Sequence, residues 1–187
     1  MKNIKLLFVF GLLGFSALKL SAQGQILSTT KGEISFFSSA PLEDISAKNK
    51  RVISMLNTET KELVVRVPIN QFDFPNKLMQ QHFNENYLES EKYPYGTFKG
   101  KLAEDIDFSK PGTYDATATG VLNIHGVDQK RTLNGKIIVA PDGAVQLNTK
   151  FTVALVDHKI DIPKIVFNKI AETIAVTTNF NYQPFKK

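Results

Sequence analysis

The chain of 187 residues contains no cysteine and no tryptophan, and both absences restrict what it can be. Without cysteine it forms no disulfide and has no thiolate for a metal site or a catalytic triad. The lipoprotein route is closed too, because that route needs a cysteine at the cleavage point. Without tryptophan, the largest side chain that could fill an interior is missing. The fold must therefore be held together by burial of the other apolar side chains, which include 14 phenylalanines.

Long apolar runs are also scarce. The clearest run, residues 6–18, is shorter than the roughly 20 residues that a membrane-spanning helix needs. It follows two lysines and precedes a pair of small residues ending at Ala22, which is the layout of a secretory signal peptide rather than of a membrane anchor. We therefore expect cleavage after Ala22. Residues 23–187 should then form one exported domain, periplasmic or extracellular, without a membrane span.

A strong net charge is missing from this mature domain. The predicted signal peptide contains three lysines and no acidic residue, so its removal lowers the formal net charge from +5 to +2. The remaining charges are spread along the chain and form no basic stripe. Binding to nucleic acid is therefore not expected.

The dominant pattern in the mature domain is period-two alternation, which is typical of strands with one buried face. Apolar and polar residues alternate most regularly over 145–155. Strands are predicted at 32–39, 51–57, 63–69, 96–104, 114–124, 131–140, 145–155 and 174–182. Short turns such as Pro141-Asp142-Gly143 favour antiparallel pairing. About eight such strands predict an all-β, up-and-down barrel, since closure removes exposed edges, with a two-sheet sandwich as the alternative.

Two segments interrupt this pattern. Residues 76–90 have helical spacing, with Met79, Phe83 and Tyr87 on one face, and predict one short amphipathic helix. Residues 157–171 are unusually apolar for a connection. Because lids are built from long connections, we expect both segments to form a movable cover over an entrance to the interior.

Residues that could perform chemistry are few. The histidines His82, His125 and His158 have neither metal-ligand nor triad spacing, and no phosphate loop or nucleophile motif occurs. The residues assigned to inward faces include no ionisable side chain. General acid–base catalysis needs a titratable group near the substrate, and such an interior suits a hydrophobic guest instead. We therefore predict no enzyme activity, no cofactor and no metal, and an enzyme using His125 or His158 ranks last.

Small residues on neighbouring inward faces indicate free space inside the barrel. Ala116, Ala118 and Gly120 follow one another on one face, and Gly100 and Gly135 lie on adjacent strands. Small barrels are nevertheless commonly filled by their own side chains, and the phenylalanines could do so here. Both a cavity and a filled core are compatible with the sequence.

Several short motifs occur in a distinctive order along residues 32–184. They are 36–41 (FFSSAP), 62–69, 78–90, Tyr93-Pro94, 97–100 (TFKG), 120–127 (GVLNIHGV) and 151–155. In this order and spacing they resemble the YceI-like family of exported lipid- or polyisoprenoid-binding proteins. The resemblance implies a lipocalin-like antiparallel barrel with a long amphiphile in its lumen, no enzyme activity and no metal.

We predict a carrier of a long-chain lipid or isoprenoid, held by residues of the lumen and lid. These residues are Phe36, Val65, Met79, Phe83, Leu88, Phe98, Ala116, Ala118, Leu122, Phe151, Val153, Val176 and Phe180. The alternative is a filled-core barrel that acts through its surface as an interaction or envelope-stress protein. Its exposed patch would include Val64, Ile138, Ala154 and Val156. The oligomeric state stays open, a dimer included.

Overall fold

A computed structural model describes residues 24–185, which form a closed antiparallel barrel of eight strands. The strands are β1 (Ile26–Ser39), β2 (Asp44–Asn57), β3 (Glu62–Pro68), β4 (Tyr95–Leu102), β5 (Gly112–Ile124), β6 (Val127–Val139), β7 (Val145–Ala154) and β8 (Thr173–Pro184). Each strand pairs with the next, and β8 pairs with β1, so the sheet has closed and the sandwich alternative is wrong. The predicted up-and-down barrel is confirmed. The predicted signal peptide lies outside the described residues.

The first two strands are longer than predicted. Polar residues at inward positions interrupt the apolar alternation, so the first part of each strand was not recognised. β2 begins at Asp44 instead of 51, and the fully buried Asn49 breaks its apolar alternation. The Asn49 side chain donates to the Pro68 carbonyl at 2.7 Å and accepts from the Arg51 backbone N–H at 2.8 Å. Its buried amide is thereby satisfied, as a polar group in a core must be.

The predicted helix exists, but only its first half is α-helical. Helix α1 spans Lys77–His82 and begins at Asn76, whose side chain accepts from the Leu78 backbone N–H at 2.9 Å. The chain then widens into a π-helical turn over Phe83–Tyr87, in which the Leu88 N–H donates to the Phe83 carbonyl at 2.9 Å. The wider turn places one extra residue before Leu88 and so changes which side chains face the barrel.

The two ends of the barrel differ in the length of their connections. We call the lower end the one closed by three connections, at 58–61, 103–111 and 140–144. The upper end carries the connections at 40–43, 69–94, 125–126 and 155–172. The two segments that interrupt the strand pattern, the helix and the apolar connection, therefore lie at the same end.

The lower end is filled by the protein's own side chains. Leu27, Leu56 and Val145 are buried there together with Tyr182. The Tyr182 hydroxyl lies 2.7 Å from the hydroxyl of Ser54 and forms a polar tie within this apolar layer. Within residues 24–185, the interior is therefore closed at the lower end.

Near the upper end, β2 runs past the end of β3, and a following segment covers its free edge. Lys48 and Asp73 exchange two backbone hydrogen bonds, of 3.1 and 2.9 Å. The segment after β3 thus adds to the sheet, and this seam is closed by backbone pairing.

A second seam, between β6 and β7, is closed differently. The two strands pair only over 135–139 and 145–149 and diverge above that level. Side chains bridge the gap: the Arg131 guanidinium donates to the Thr152 carbonyl at 2.6 Å, and the Gln129 amide donates to the Asp157 carbonyl at 2.7 Å. In the described part of the chain, no backbone hydrogen bond crosses this upper part of the seam.

Candidate ligand-binding cavity

The barrel encloses a cavity of about 510 Å³, which is within the range of small-molecule sites in proteins. All thirteen predicted residues line it. The strands supply Phe36, Val65, Phe98, Ala116, Ala118, Leu122, Phe151, Val153, Val176 and Phe180, and the helical connection supplies Met79, Phe83 and Leu88. That these residues contact a guest stays a prediction. The interior is nevertheless not filled by the protein's own side chains.

The glycines contribute to the cavity less than expected. Ala116, Ala118 and Gly135 line it, but Gly100 and Gly120 do not. The two glycines lie opposite each other where β4 and β5 approach closely, and a β-carbon on Gly120 would lie 2.2 Å from a backbone oxygen of β4. The expectation that these two glycines create free space was wrong. They allow the two strands to come together.

The cover of the cavity comes from both long connections at the upper end. Met79, Phe83 and Leu88 reach it from the connection that contains α1. Val166 and Ile170 reach it from the connection at 155–172. The two segments predicted as a lid therefore do lie over one cavity, and their movement stays a prediction.

Sequence reasoning missed two aromatic residues beneath this cover. Phe72 and Phe74 are buried, and they form a cluster with Phe36 and Phe83. The ring centroids of Phe74 and Phe83 are 5.0 Å apart, and those of Phe36 and Phe83 are 5.6 Å apart. The alternation of Phe72 and Phe74 around an exposed aspartate, just before Pro75, is the signal that could have identified them.

We expect Phe83→Ala to weaken amphiphile binding more than it weakens the fold. Phe83 is only half-buried and lines the cavity, so much of its ring area is available to a guest. Loss of that contact should lower affinity at least about tenfold, and the free energy of unfolding should fall by less than about 3 kcal/mol. Ligand titration and thermal unfolding measure the two effects. Phe72→Ala, at a fully buried position of the same cluster, should lose about 3–5 kcal/mol of stability.

The polar residues of the cavity are separated by depth. The ionisable ones, Glu43, His82, Tyr87 and Lys169, all come from connections at the upper end. Deeper in the barrel the hydroxyls of Thr149 and Thr178 face the same space. The buried Thr178 hydroxyl has no hydrogen-bond partner within residues 24–185. Because such a hydroxyl costs about 1–3 kcal/mol, a guest or water atom that bonds to it would be stabilised.

The prediction of inward faces free of ionisable residues needs one correction. In β6 every second residue is buried or partly buried, and this series includes Ile137, Leu133 and Arg131. An arginine therefore shares the inward face. Leu133 lines the cavity but Arg131 does not, because its guanidinium lies along the seam to Thr152. The alternation of exposure runs along the whole of β6, but its inward residues Gln129 and Arg131 are polar. A search for apolar alternation therefore did not identify Arg131 as an inward residue.

His125 connects three elements of the upper end. It lies in the tight turn between β5 and β6, with a φ of 53°, next to Gly126. Its Nε2 is 2.7 Å from a carboxylate oxygen of Glu89, and its Nδ1 is 3.2 Å from the carbonyl oxygen of His158. Neither histidine lines the cavity. The observed geometry gives them a role in anchoring both covering connections to the β5–β6 turn.

His158 is fully buried, and its environment disfavours the charged form. Its Nδ1 donates to the Val127 carbonyl at 3.3 Å, and its Nε2 has no partner in the described part of the chain. Loss of hydration on burial lowers the pKa of His158 below its ordinary value of 6.5, opposed by smaller effects that include a hydrogen bond to Val127. The neutral imidazole is therefore the form that fits the fold.

This lowered pKa predicts a loss of stability in mild acid. Below pH 6.5 the unfolded chain takes up a proton at His158 more readily than the folded protein, so stability decreases as pH falls, by at most about 1.4 kcal/mol per pH unit. Chemical denaturation between pH 7 and 5 measures it. His158→Asn keeps a donor near the Nδ1 position but does not titrate. Identical pH slopes for the two proteins would contradict the assignment to His158.

Neither a metal-binding cluster nor a membrane-spanning helix is present among the described residues. Within residues 24–185, no group of three or more histidine, aspartate and glutamate side chains is arranged as a metal site. In the same range, no helix has both the length and the hydropathy of a membrane span.

Solved structures with the same fold include proteins from three bacteria. A polyisoprenoid-binding domain from Saccharophagus degradans superposes with a TM-score of 0.74 at 11% identity, covering 87% of this chain and 100% of that one. BcnA of Burkholderia cenocepacia gives 0.67 at 13% identity, covering 82% and 96%. The YCEI protein of Campylobacter jejuni gives 0.51 at 20% identity, covering 100% of both chains. At these identities the likeness shows a common fold.

Sequence comparison extends this result to the family. No curated protein sequence matches the chain. The model of the YceI-like domain, however, matches residues 15–182, which is most of the chain. The predicted resemblance is confirmed, and the chain belongs to the YceI-like family.

Proposed function

We propose that this protein binds and carries a long-chain amphiphile, a polyisoprenoid or an acyl lipid, in its barrel. The observation that supports this most directly is the apolar cavity of about 510 Å³, covered at one end by two apolar connections. The similar domain from Saccharophagus degradans is described as polyisoprenoid-binding, which supports the same class of guest. Binding of this kind needs no reacting group.

The distribution of polar residues suggests how such a guest lies. An apolar tail gains about 0.8 kcal/mol for each methylene that leaves water, so it binds tightly without polar contacts. Glu43, His82 and Lys169 stand at the upper end, where they suit a polar head group. The tail then points toward Phe180 and the filled lower end.

Native mass spectrometry of protein purified from its own host tests the proposal directly. We expect a bound amphiphile that lipid extraction identifies. Delipidated protein should then bind a series of prenyl or acyl chains, with affinity rising up to about fourfold per added methylene until the cavity is full. No co-purified guest, together with no binding of any chain in the series, would overturn it.

The alternative function is that of a filled barrel that acts through its outer surface. It requires a filled interior and a contiguous exposed patch, and neither is observed in the described residues. The interior holds a cavity, and the proposed patch is not contiguous. Val64 lies on β3, whereas Ile138 lies on β6 near the lower end and Val156 lies beyond β7 at the upper end. Ile138 is also only partly exposed.

We propose further that the carrier acts outside the cytoplasm. The support is the predicted signal peptide, with its lysines, its apolar run and its small residues up to Ala22. N-terminal sequencing of the exported protein should begin at Gln23. A chain that still starts at Met1 in the membrane fraction would show that cleavage does not occur.

A further inference from the structure

Large apolar side chains are exposed at the upper end, around the opening of the cavity. Ile165 is 91% exposed, Leu42 is 70% exposed, Leu78 is 59% exposed and Phe167 is 52% exposed. Scattered exposed apolar residues are ordinary, but a group of them around one opening marks an interaction site.

Two connections of the upper end, at 40–43 and 155–172, are joined at this surface. The backbone N–H of Leu42, at the tip of the β1–β2 connection, donates to the carbonyl of Asn168 at 2.9 Å. This bond places Leu42 beside the residue that follows Phe167. We call Leu42, Ile165 and Phe167 the apolar tip.

The segment that contains Ile165 and Phe167 has apolar side chains on two opposite sides. Val166 and Ile170 point to the cavity, whereas Ile165 and Phe167 are exposed. Apolar residues therefore lie on both sides of one short segment, and only one of these sides is covered by the barrel. The side with Ile165 and Phe167 is not covered by the protein, so an apolar environment from another molecule would stabilise it.

The charges beside the apolar tip indicate which environment that is. Residues 162–171 contain two exposed lysines, Lys164 and Lys169, and the exposed acidic residues Asp161 and Glu172 lie just outside this range. Lys169 also lines the cavity opening, which has Glu43 as its only acidic lining residue in the described part of the chain. Lysines flanking exposed apolar side chains are the pattern of segments that lie in the interface of a bilayer with anionic lipids.

We propose that the upper end docks on an anionic lipid bilayer, with the apolar tip in the acyl boundary and Lys164 and Lys169 at the phosphates. Docking in this orientation puts the opening of the cavity against the lipid from which a guest is taken or to which it is delivered. The role of docking in the transfer of a guest rests on the proposed carrier function. Docking itself can be tested whether or not the protein carries a guest.

Flotation with phosphatidylcholine vesicles, with or without about 30% of the anionic lipid phosphatidylglycerol, tests the proposal. We expect the full chain to float with the anionic vesicles and to bind neutral ones more weakly. The double variant Ile165→Asp/Phe167→Asp should bind at least about tenfold less. Replacing Lys164 or Lys169 by Gln should cost up to about fivefold each on anionic vesicles only.

A matched control exists on the barrel wall. Val64 and Val121 are also exposed, and both pair with Lys99 across their strands, so they form an apolar site beside a lysine away from the opening. Val64→Asp/Val121→Asp has the same change in charge and should float like the unchanged protein. Equal loss in both double variants, or no binding of the unchanged protein to either vesicle, would overturn the proposal.

The same samples separate docking from carrying. Ile165 and Phe167 do not line the cavity, so their double variant should still hold amphiphile in native mass spectra. Vesicle binding without any amphiphile would contradict the carrier function alone. Dimerisation that Ile165→Asp/Phe167→Asp abolishes, in a protein that never floats, would show instead that the apolar tip contacts a second copy.

Discussion

The Ala118→Phe protein is expected to fold normally and to bind no long-chain guest. Ala118 is 5% exposed and lines the cavity on β5, between Leu102 on β4 and Leu133 on β6. A phenyl ring at this position enters free space rather than occupied core. It displaces at least about four methylene groups of a guest, which should lower affinity at least about a hundredfold. Thermal unfolding and titration with a fluorescent fatty acid measure the two properties.

Ala47→Phe is the matched control for this result. Ala47 is also 5% exposed, but it does not line the cavity and pairs with Phe36 across β1 and β2. The same added ring must there displace packed atoms, which typically costs about 1–3 kcal/mol. If Ala118→Phe is as unstable as Ala47→Phe, the interior at this level is packed, and the cavity does not extend to it.

Gly120→Ala is expected to destabilise the barrel by roughly 3 kcal/mol and to lower its melting temperature by roughly 6–12 °C. A single methyl group is enough, because the added β-carbon would lie 2.2 Å from the Lys99 carbonyl oxygen and 2.4 Å from the Gly100 α-carbon. Both are backbone atoms, so relief requires a shift of β4 itself. Differential scanning calorimetry measures the change.

Gly96→Ala should have the opposite sign. Gly96 lies on the same strand pair and is buried, but its added β-carbon would meet the Ile69 side chain at 3.5 Å, an ordinary contact. With no clash, the alanine mainly restricts the unfolded chain and should stabilise by up to about 1 kcal/mol. Similar losses for both variants would mean that β4 and β5 tolerate added volume equally and that Gly120 has no special role.

Strand alternation and turn residues were sufficient to predict an all-β antiparallel fold of about eight strands, since they report directly on which face of each strand is buried, but they did not separate a barrel from a sandwich. They failed where a polar side chain faces inward and donates to a backbone carbonyl of another element. Asn49 of β2 donates to Pro68, and Arg131 of β6 donates to Thr152. These acceptors are distant in sequence, so no local pattern contains them.

The cavity residues were predictable for a related reason. An inward apolar residue in a closed barrel can face only the lumen or the filled end, and all ten of the predicted strand residues face the lumen. Free volume itself was not predictable. It depends on how the rings of Phe72, Phe74 and Phe83 pack under the cover, and composition does not determine that.

The closure of β8 onto β1 has a consequence for how the protein comes to be folded. Seven of the eight seams join strands that are neighbours in the chain, whereas the eighth joins residues such as Phe36 and Val176. Forming that contact requires ordering nearly the whole domain at once, and such non-local contacts limit the rate of folding. β8 is the last strand in the chain, so the barrel cannot close before the whole domain is present. The complete wall of the cavity therefore forms only when the final strand pairs with the first.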